Sequence, residues 1–293
     1  MKVPSDARAA LHATLRDLIA EWQLTPVDEP IAGIASLVQP VLDADGTRRA
    51  LKVAVAEDSN RGESATLQVW RGRGAVELLR ADPRRRAVLL EWLGEPLTHQ
   101  PTHDALTEVA RLCGVIHRKA APQLPSLFDS VATWLGDLAS LDRAVPAPPR
   151  FVSQALRAGR DLIDGTPTHV VHGDLHDGNV LWRERTREWV VIDPKGYRGD
   201  PAYDVAPMLW NRWDELEWFG KPGEAIRDRF YALVDGAQLD ERRARDWVVV
   251  RAMINISWTV LDARRERRDL TEADDESITR NITLAKAMQD VRP

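Results

Sequence analysis

Asp174 precedes Asn179 by five residues, and Asp193 follows Asn179 by fourteen, at the end of the apolar run "WVVID". These residue types at this spacing have a chemical use. A tight loop can hold the Asp174 carboxylate towards a substrate hydroxyl. The Asn179 amide oxygen then lies at the loop's end, and the Asp193 carboxylate at the end of a partner strand. Amide and carboxylate oxygens suit a hard cation such as Mg2+, which keeps several waters and takes its other ligands from phosphates. Asp174 is left to orient the hydroxyl and accept its proton, the arrangement of phosphoryl transfer. From the residues alone, the stretch "VVHGDLHDGNVLW" (170–182) admits two other readings. One is a metal cage built directly on its histidines and aspartates; the other is an ordinary polar hairpin.

The elements that must position these groups are visible in the hydrophobic periods. Residues 5–22 place Leu11, Leu15, Leu18, Ile19 and Trp22 at helical spacing, with Ser5 or Asp6 as cap and Pro26 and Pro30 ending the unit. The period then changes to two. "IASLVQPVL" and "RALKVAVA" flank "DADG" as a hairpin, "ESATLQVW" reads as a short helix, and "AVELLRA" and "AVLLEWL" read as two more strands. "GEPLTHQPTHD", with its Gly and two Pro, reads as a linker between lobes. Beyond it the chain is mainly helical: "DALTEVARLCGVIHRK", "SLFDSVATWLGDLASL", "RFVSQALRAGRDLI", and segments near 203–212, 223–234, 240–262 and 272–290. The exception is 169–193, where "HVVHG", "NVLWR" and "WVVID" are short strands around polar loops. The expected organisation is α+β and two-lobed: a β-rich N-lobe over 1–93 and a mainly helical C-lobe over 94–293.

The totals narrow the class. The chain has 293 residues, 44% hydrophobic and 29% charged, as expected of a soluble globular protein. A net charge of −5 with a pI of about 5.9 gives no support for nucleic-acid binding and leans towards a neutral or cationic small-molecule partner. The lone Cys113 excludes a disulfide framework, and its place on an apolar helical face reads as packing. Asp and Arg interrupt "MKVPSDARAALHATLRDL", so it does not read as a signal peptide, and no apolar run approaches the roughly 20 residues of a membrane span. A cytoplasmic protein without a membrane partner is expected. The 34 Arg against 6 Lys make each Lys worth inspecting.

"HGDLHDGNVL…WVVIDPKG" resembles the aminoglycoside phosphotransferase family, with "HGDLHDGN" matching its version of the kinase catalytic loop and "IDP" standing for the kinase Asp-Phe-Gly. "VWRGRGAVELL", "VLLEWLGE" and "IDPKGYRGDPAYDVA" resemble, more narrowly, its streptomycin and hydroxyurea phosphotransferase branch, over about Ser36 to Asn211. The resemblance implies a bilobal protein-kinase-like fold that transfers the γ-phosphoryl group of ATP, with Mg2+, to a small-molecule hydroxyl. It implies Asp174 as base, and Asn179 and Asp193 as metal ligands. It also implies Lys52 on the phosphates, paired with Glu63, since a compact ammonium on a flexible stem suits that contact. Ser36 in "GIASLV" would reach towards phosphate without a Gly-rich loop, and the main chain around Glu91 and Leu93 would bond adenine. His172 would brace the loop, Asp204 would pin its backbone, and Lys195 would meet the γ-phosphate or pair with a surface acid.

A cationic or sugar-like acceptor would find Asp214, Glu215 and Glu217 interleaved with Trp210, Trp213 and Trp218, although a plain acidic helix end with inward Trp explains the same segment. "EADDE" (272–276) reads as an acidic first helical turn. Two classes compete. A metallophosphoesterase would need further metal motifs, and "RGDPAYD" does not supply them; an inactive nucleotide-binding module would not need Lys52, Asp174, Asn179 and Asp193 together.

Overall fold

The computed structural model describes residues 5–33, 35–55, 62–218 and 220–291, and the side chains of 5–7, 217 and 218 fall outside the description. The chain divides into two compact units. One comprises 1–99, 123–125 and 178–196; the other comprises 100–122, 126–177 and 197–293. The sequence reading places its boundary at 93/94. The contacts give residues 94–99 and the segment 178–196, which carries Asn179 and Asp193, to the first unit.

The first unit opens with helix α1 (Ser5–Trp22), followed by β1 (Thr25–Pro26), β2 (Ile31–Ala32), β3 (Ser36–Leu42) and β4 (Arg48–Ala54). Helix α2 (Glu63–Trp70) and strands β5 (Leu78–Asp82) and β6 (Ala87–Glu91) follow. The sheet is antiparallel in order β1-β3-β4-β6-β5, with β2 also paired to β3. Leu11, Leu15, Leu18 and Trp22 of α1 are buried against Leu37, Val41, Leu51, Val53, Ala87 and Leu89 of the sheet. Each fully buried leucine contributes about 1.5–3 kcal/mol, which an isolated helix of this length would lack. The helix stops at Trp22, before either proline. Gln23 turns left-handed (φ 56°) and the Leu24 N–H closes on the Ile19 carbonyl at 2.9 Å. The Ser5 or Asp6 cap expected from sequence lies among the undescribed side chains. Since strand side chains alternate, burying Leu51 and Val53 under α1 sends Ala50 and Lys52 to the opposite face.

"AVELLRA" is only partly strand. Ala75 makes a parallel bridge to Val191, and the named strand β5, paired with β6, begins at Leu78. Strands β7 (His169–Val171), β8 (Val180–Arg183), β9 (Glu188–Val191) and β10 (Tyr197–Gly199) come from 169–199. β8 and β9 form an antiparallel hairpin of the first unit.

The second unit holds α3 (Thr102–Ile116), α4 (Leu127–Leu141), α5 (Pro149–Leu162), α6 (Ala206–Trp210), α7 (Trp213–Trp218), α8 (Pro222–Ala237), α9 (Glu241–Arg265) and α10 (Glu272–Ala287). Buried residues run around α9, among them Trp247, Val248, Val249 and Val250, because α5 and α10 both pack on it. α3 buries Leu106, Val109, Ala110, Cys113 and Ile116, the face read from its period. Burial there pushes the Cys113 thiol up, away from the reactive thiolate. Asp240 caps α9, and Thr271 with Asp274 of "EADDE" forms a capping box on α10, whose first turn also carries Glu272 and Asp275. β7 pairs antiparallel with β10, so this ribbon flanks the loop that carries Asp174. Among the described residues no helix is long and apolar enough to cross a membrane.

Candidate active site

Lys52 is the centre of the first unit's polar constellation. Its Nζ donates to Glu63 Oε1 at 2.7 Å and to Asp193 Oδ1 at 2.6 Å. Lys52 and Glu63 are buried, whereas a third of the Asp193 side chain is exposed. Burial alone would lower the ammonium's pKa, but the two carboxylates outweigh it and hold Lys52 above its usual range, firmly charged. Burial and the neighbouring Asp193 carboxylate push Glu63 upward, while Lys52 pulls the other way. A compact cation is thus fixed between a buried partner and a partner with access to ligand.

These groups line a cavity of about 320 Å³ with Ser36, Glu91, Leu93 and Asn179. Its remaining walls are mostly apolar, including Val38, Ala50, Val76, Leu90, Leu181 and Ile192. An apolar slot with a few convergent polar groups suits a flat heterocycle carrying phosphates. Val38, Ala50, Lys52 and Leu90 alternate with residues buried under α1, so alternation sends them to the slot face once Lys52 is placed there. The turn leading to Ser36 includes Ile34, which lies outside the described residues.

Asn179 and Asp193 face the same cavity, and the Ile192 N–H bonds the Asn179 carbonyl at 2.9 Å, tying the two ends of the β8–β9 hairpin. An amide oxygen and a carboxylate opening on one cavity are hard-oxygen donors that fit Mg2+. Lys195 stands 3.5 Å from Asp193 Oδ2, so it faces this carboxylate rather than a surface acid.

The loop after Asp193 meets α2 backbone to backbone. A Cβ on Gly62 would fall 1.9 Å from the Gly196 carbonyl oxygen; a Cβ on Gly196 would fall 2.5 Å from the Gly62 carbonyl oxygen. Gly196 is also left-handed, at φ 73°. Gly62 directly precedes Glu63, so this contact sets where the Glu63 carboxylate sits. Gly196→Ala is therefore expected to raise the KM for ATP several-fold and to lower the urea midpoint. The left-handed conformation alone costs an alanine about 1–2 kcal/mol, before the clash. Wild-type values for both, from steady-state kinetics and urea titration, would show that the close approach is not needed.

Glu91 holds a second buried network. Its Oε1 accepts from Arg183 Nε at 2.9 Å, Arg183 Nη2 at 2.5 Å and the Glu77 N–H at 2.8 Å. Arg183 also donates to the Gly72 and Ala75 carbonyls, at 3.1 and 2.6 Å. The segment after β6 is thereby fixed to the β8–β9 hairpin, which the Gly94 N–H also reaches through the Trp182 carbonyl at 2.7 Å. The Glu91 N–H is bonded to the Glu77 carbonyl at 3.1 Å. Sequence reasoning did not single out Arg183; an Arg on a short strand carries no distinguishing local signal.

Asp174 belongs to the second unit, in the loop after β7. Asp204 pins that loop: its carboxylate accepts the His172 N–H at 2.8 Å and the Gly173 N–H at 2.7 Å. His117 Nε2 donates to it from the end of α3 at 2.9 Å. Burial works against charge on Asp204, yet the His117 hydrogen bond and neighbouring donors bring its carboxyl below the usual range. His172 is fully buried, and its Nδ1 accepts the Asp174 N–H at 3.2 Å. His172 and Asp204 therefore act as supports, as read from the motif, and His117 is a support that its helical position concealed. Arg251 adds another, donating to the Gly173 carbonyl at 3.2 Å while its guanidinium lies over the Tyr203 and Trp210 rings.

The acidic segment expected to meet an acceptor is partly occupied by the chain's own groups. Glu215 takes hydrogen bonds from Thr102, Arg212 and Arg229. Trp213 is buried, Asp214 is exposed, and the side chains of Glu217 and Trp218 lie outside the described residues.

An antiparallel sheet with a Lys–Glu pair, a helical unit and an Asp-bearing loop together define a protein-kinase-like fold. A choline/ethanolamine kinase family protein from Mesorhizobium loti shares it, with a TM-score of 0.65 at 15% identity over 98% of this chain and 94% of that one. So does a thermostable mutant of aminoglycoside phosphotransferase APH(4)-Ia in ternary complex with AMP-PNP and hygromycin B, with a TM-score of 0.59 at 17% identity over 94% and 98%. Residues 21–263 match the model of the aminoglycoside/hydroxyurea antibiotic resistance kinases, and the chain belongs to that family. It is 34% identical over 264 residues to a streptomycin 6-kinase of Streptomyces glaucescens, covering 87% of this chain and 84% of the relative. The chain is accordingly a phosphotransferase of the small-molecule kinase type.

Proposed function

We propose that this kinase transfers the γ-phosphoryl group of ATP to a hydroxyl of a streptomycin-like aminocyclitol. The observation that carries the nucleotide half is the Lys52 ammonium, held between Glu63 and Asp193 on the wall of an apolar cavity. Lys52 contacts the phosphates and Glu63 orients it. Asn179 and Asp193 hold Mg2+, which when bound neutralises phosphate charge. Ser36 lies on the phosphate side, and the main chain of Glu91 and Leu93 receives adenine. The first unit thus binds nucleotide and the second presents Asp174 to the acceptor hydroxyl, accepting its proton as the oxygen attacks. A cytoplasmic site of action follows from the need for ATP.

The acceptor half rests on the family and on the streptomycin 6-kinase relative, with the net charge of −5 favouring a cationic sugar. Hydroxyurea is the second reading, since the family description names it. Coupled ATP-consumption assays with streptomycin, hydroxyurea, choline and simple sugars separate these. Streptomycin-dependent ADP release with a phosphate monoester on the product is expected. Turnover with hydroxyurea alone would move the assignment to the second reading, and turnover with neither would overturn both.

A further inference from the structure

Arg212 joins α6 to α7 with a left-handed backbone (φ 51°), an uncommon and costly conformation for a residue with a side chain. The strain has a visible counterpart. The carbonyls of Asn211 and Arg212 both accept from the Arg229 guanidinium, at 2.8 and 3.3 Å, which holds this corner open. So held, Arg212 sends its Nε to the Asp177 carboxylate, while its Nη1 reaches the Gln100 carbonyl and Thr102 Oγ1, each at 2.9 Å. Asp177 is only 2% exposed and lies three residues after Asp174 in the same loop. Its N–H is directed at the Met208 sulfur at 3.2 Å.

An ion pair with one partner fully buried and the other largely so gains little stability over an apolar pair of the same volume, because most of its charge has left water. What it does supply is geometry. The planar guanidinium spreads its donors in a fixed fork, which a lysine does not reproduce. One fork ties three separate stretches of the second unit: the approach to α3, the turn carrying Asp177, and the start of α7.

We propose that Arg212 is a positioning residue for phosphoryl transfer: by gripping Asp177 it sets the loop from which Asp174 meets the acceptor hydroxyl, and it ties that loop to the acidic start of α7. The proposal rests on Asp174 as the base. An error of about 1 Å at such a group costs on the order of 10²-fold in rate, so the grip acts on kcat.

The test uses the full chain and begins with hydrogen exchange, which needs no acceptor. In Arg212→Ala, amides of 170–182 are expected to exchange at least tenfold faster, while peptides of α9 keep their protection. Methylguanidinium at millimolar concentration should restore the loop's protection by filling the vacated fork; tetramethylammonium at equal ionic strength should not. With streptomycin as acceptor, kcat should fall 10- to 100-fold and recover partly with methylguanidinium, the KM for ATP staying within twofold. Arg212→Lys, which keeps the charge, should still show the faster loop. Unchanged loop exchange in both variants, or loosening of the whole unit without rescue, would overturn the proposal. An inactive Asp174→Ala enzyme beside a fully active Arg212→Ala enzyme would sink this inference alone. An active Asp174→Ala enzyme would sink the base assignment instead.

Discussion

Asp174→Ala is expected to abolish phosphoryl transfer while leaving nucleotide affinity nearly intact. The two effects separate because the groups assigned to nucleotide (Lys52, Glu63, Asn179 and Asp193) all belong to the first unit, whereas Asp174 belongs to the second. A positioned base contributes about 10²–10⁴ in rate, and removing the carboxylate also removes the group that orients the hydroxyl. The fold should tolerate the change. The Asp174 main chain keeps its bond to His172 Nδ1, and Asp204 keeps hold of the two preceding N–H groups. Calorimetric titration with AMP-PNP and Mg2+ should therefore give a Kd within about threefold of wild type, since each 1.4 kcal/mol lost would cost tenfold. Transfer in single-turnover assays should fall to background. Undiminished turnover would remove Asp174 from the chemistry.

Asp193→Asn should have the opposite signature: nucleotide binding collapses and the fold survives. Asp193 has a left-handed backbone (φ 54°), a conformation that asparagine tolerates about as well as aspartate, so the change isolates charge. Removing the carboxylate leaves Lys52 paired with Glu63 at 2.7 Å and relieves the like-charge pressure that Asp193 puts on Glu63. The thermal midpoint is accordingly expected to hold or rise slightly. Support residues behind metal ligands are commonly worth 10–100-fold in metal affinity, so a direct ligand should cost about 100-fold or more in affinity for the Mg2+–nucleotide complex. Unaltered Mg2+ dependence of AMP-PNP binding would show that Asp193 does not hold the metal.

What could be read from sequence follows from how local each signal is. α2 runs from Glu63 to Trp70, the bounds of "ESATLQVW", because its apolar and polar positions repeat within one turn. The family resemblance assigns Lys52 to the phosphates, and strand alternation with Leu51 and Val53 sends it to the cavity face. Three-residue strands such as β7 and β10 carry too few positions for a period, so their pairing was not legible. The same holds for the arginine attachments. Arg183 meets Glu91 across 92 residues and Arg212 meets Asp177 across 35. In a chain with 34 arginines, nothing local marks these two as anchored. The catalytic-loop motif gathers the candidate reacting groups in one stretch, whereas the groups holding that stretch in place are scattered over distant elements.

The contact between Gly62 and Gly196 bears on how such an enzyme is controlled. With the two main chains touching at Gly62 and Gly196 and the Thr66 hydroxyl packed beside them, the start of α2 is closely seated next to the salt link from Glu63 to Lys52. A kinase throttled by swinging that helix would need a looser, bistable seam there. This seam is close-packed, so a displacement of α2 would have to break the Gly62–Gly196 contact before it could part Glu63 from Lys52.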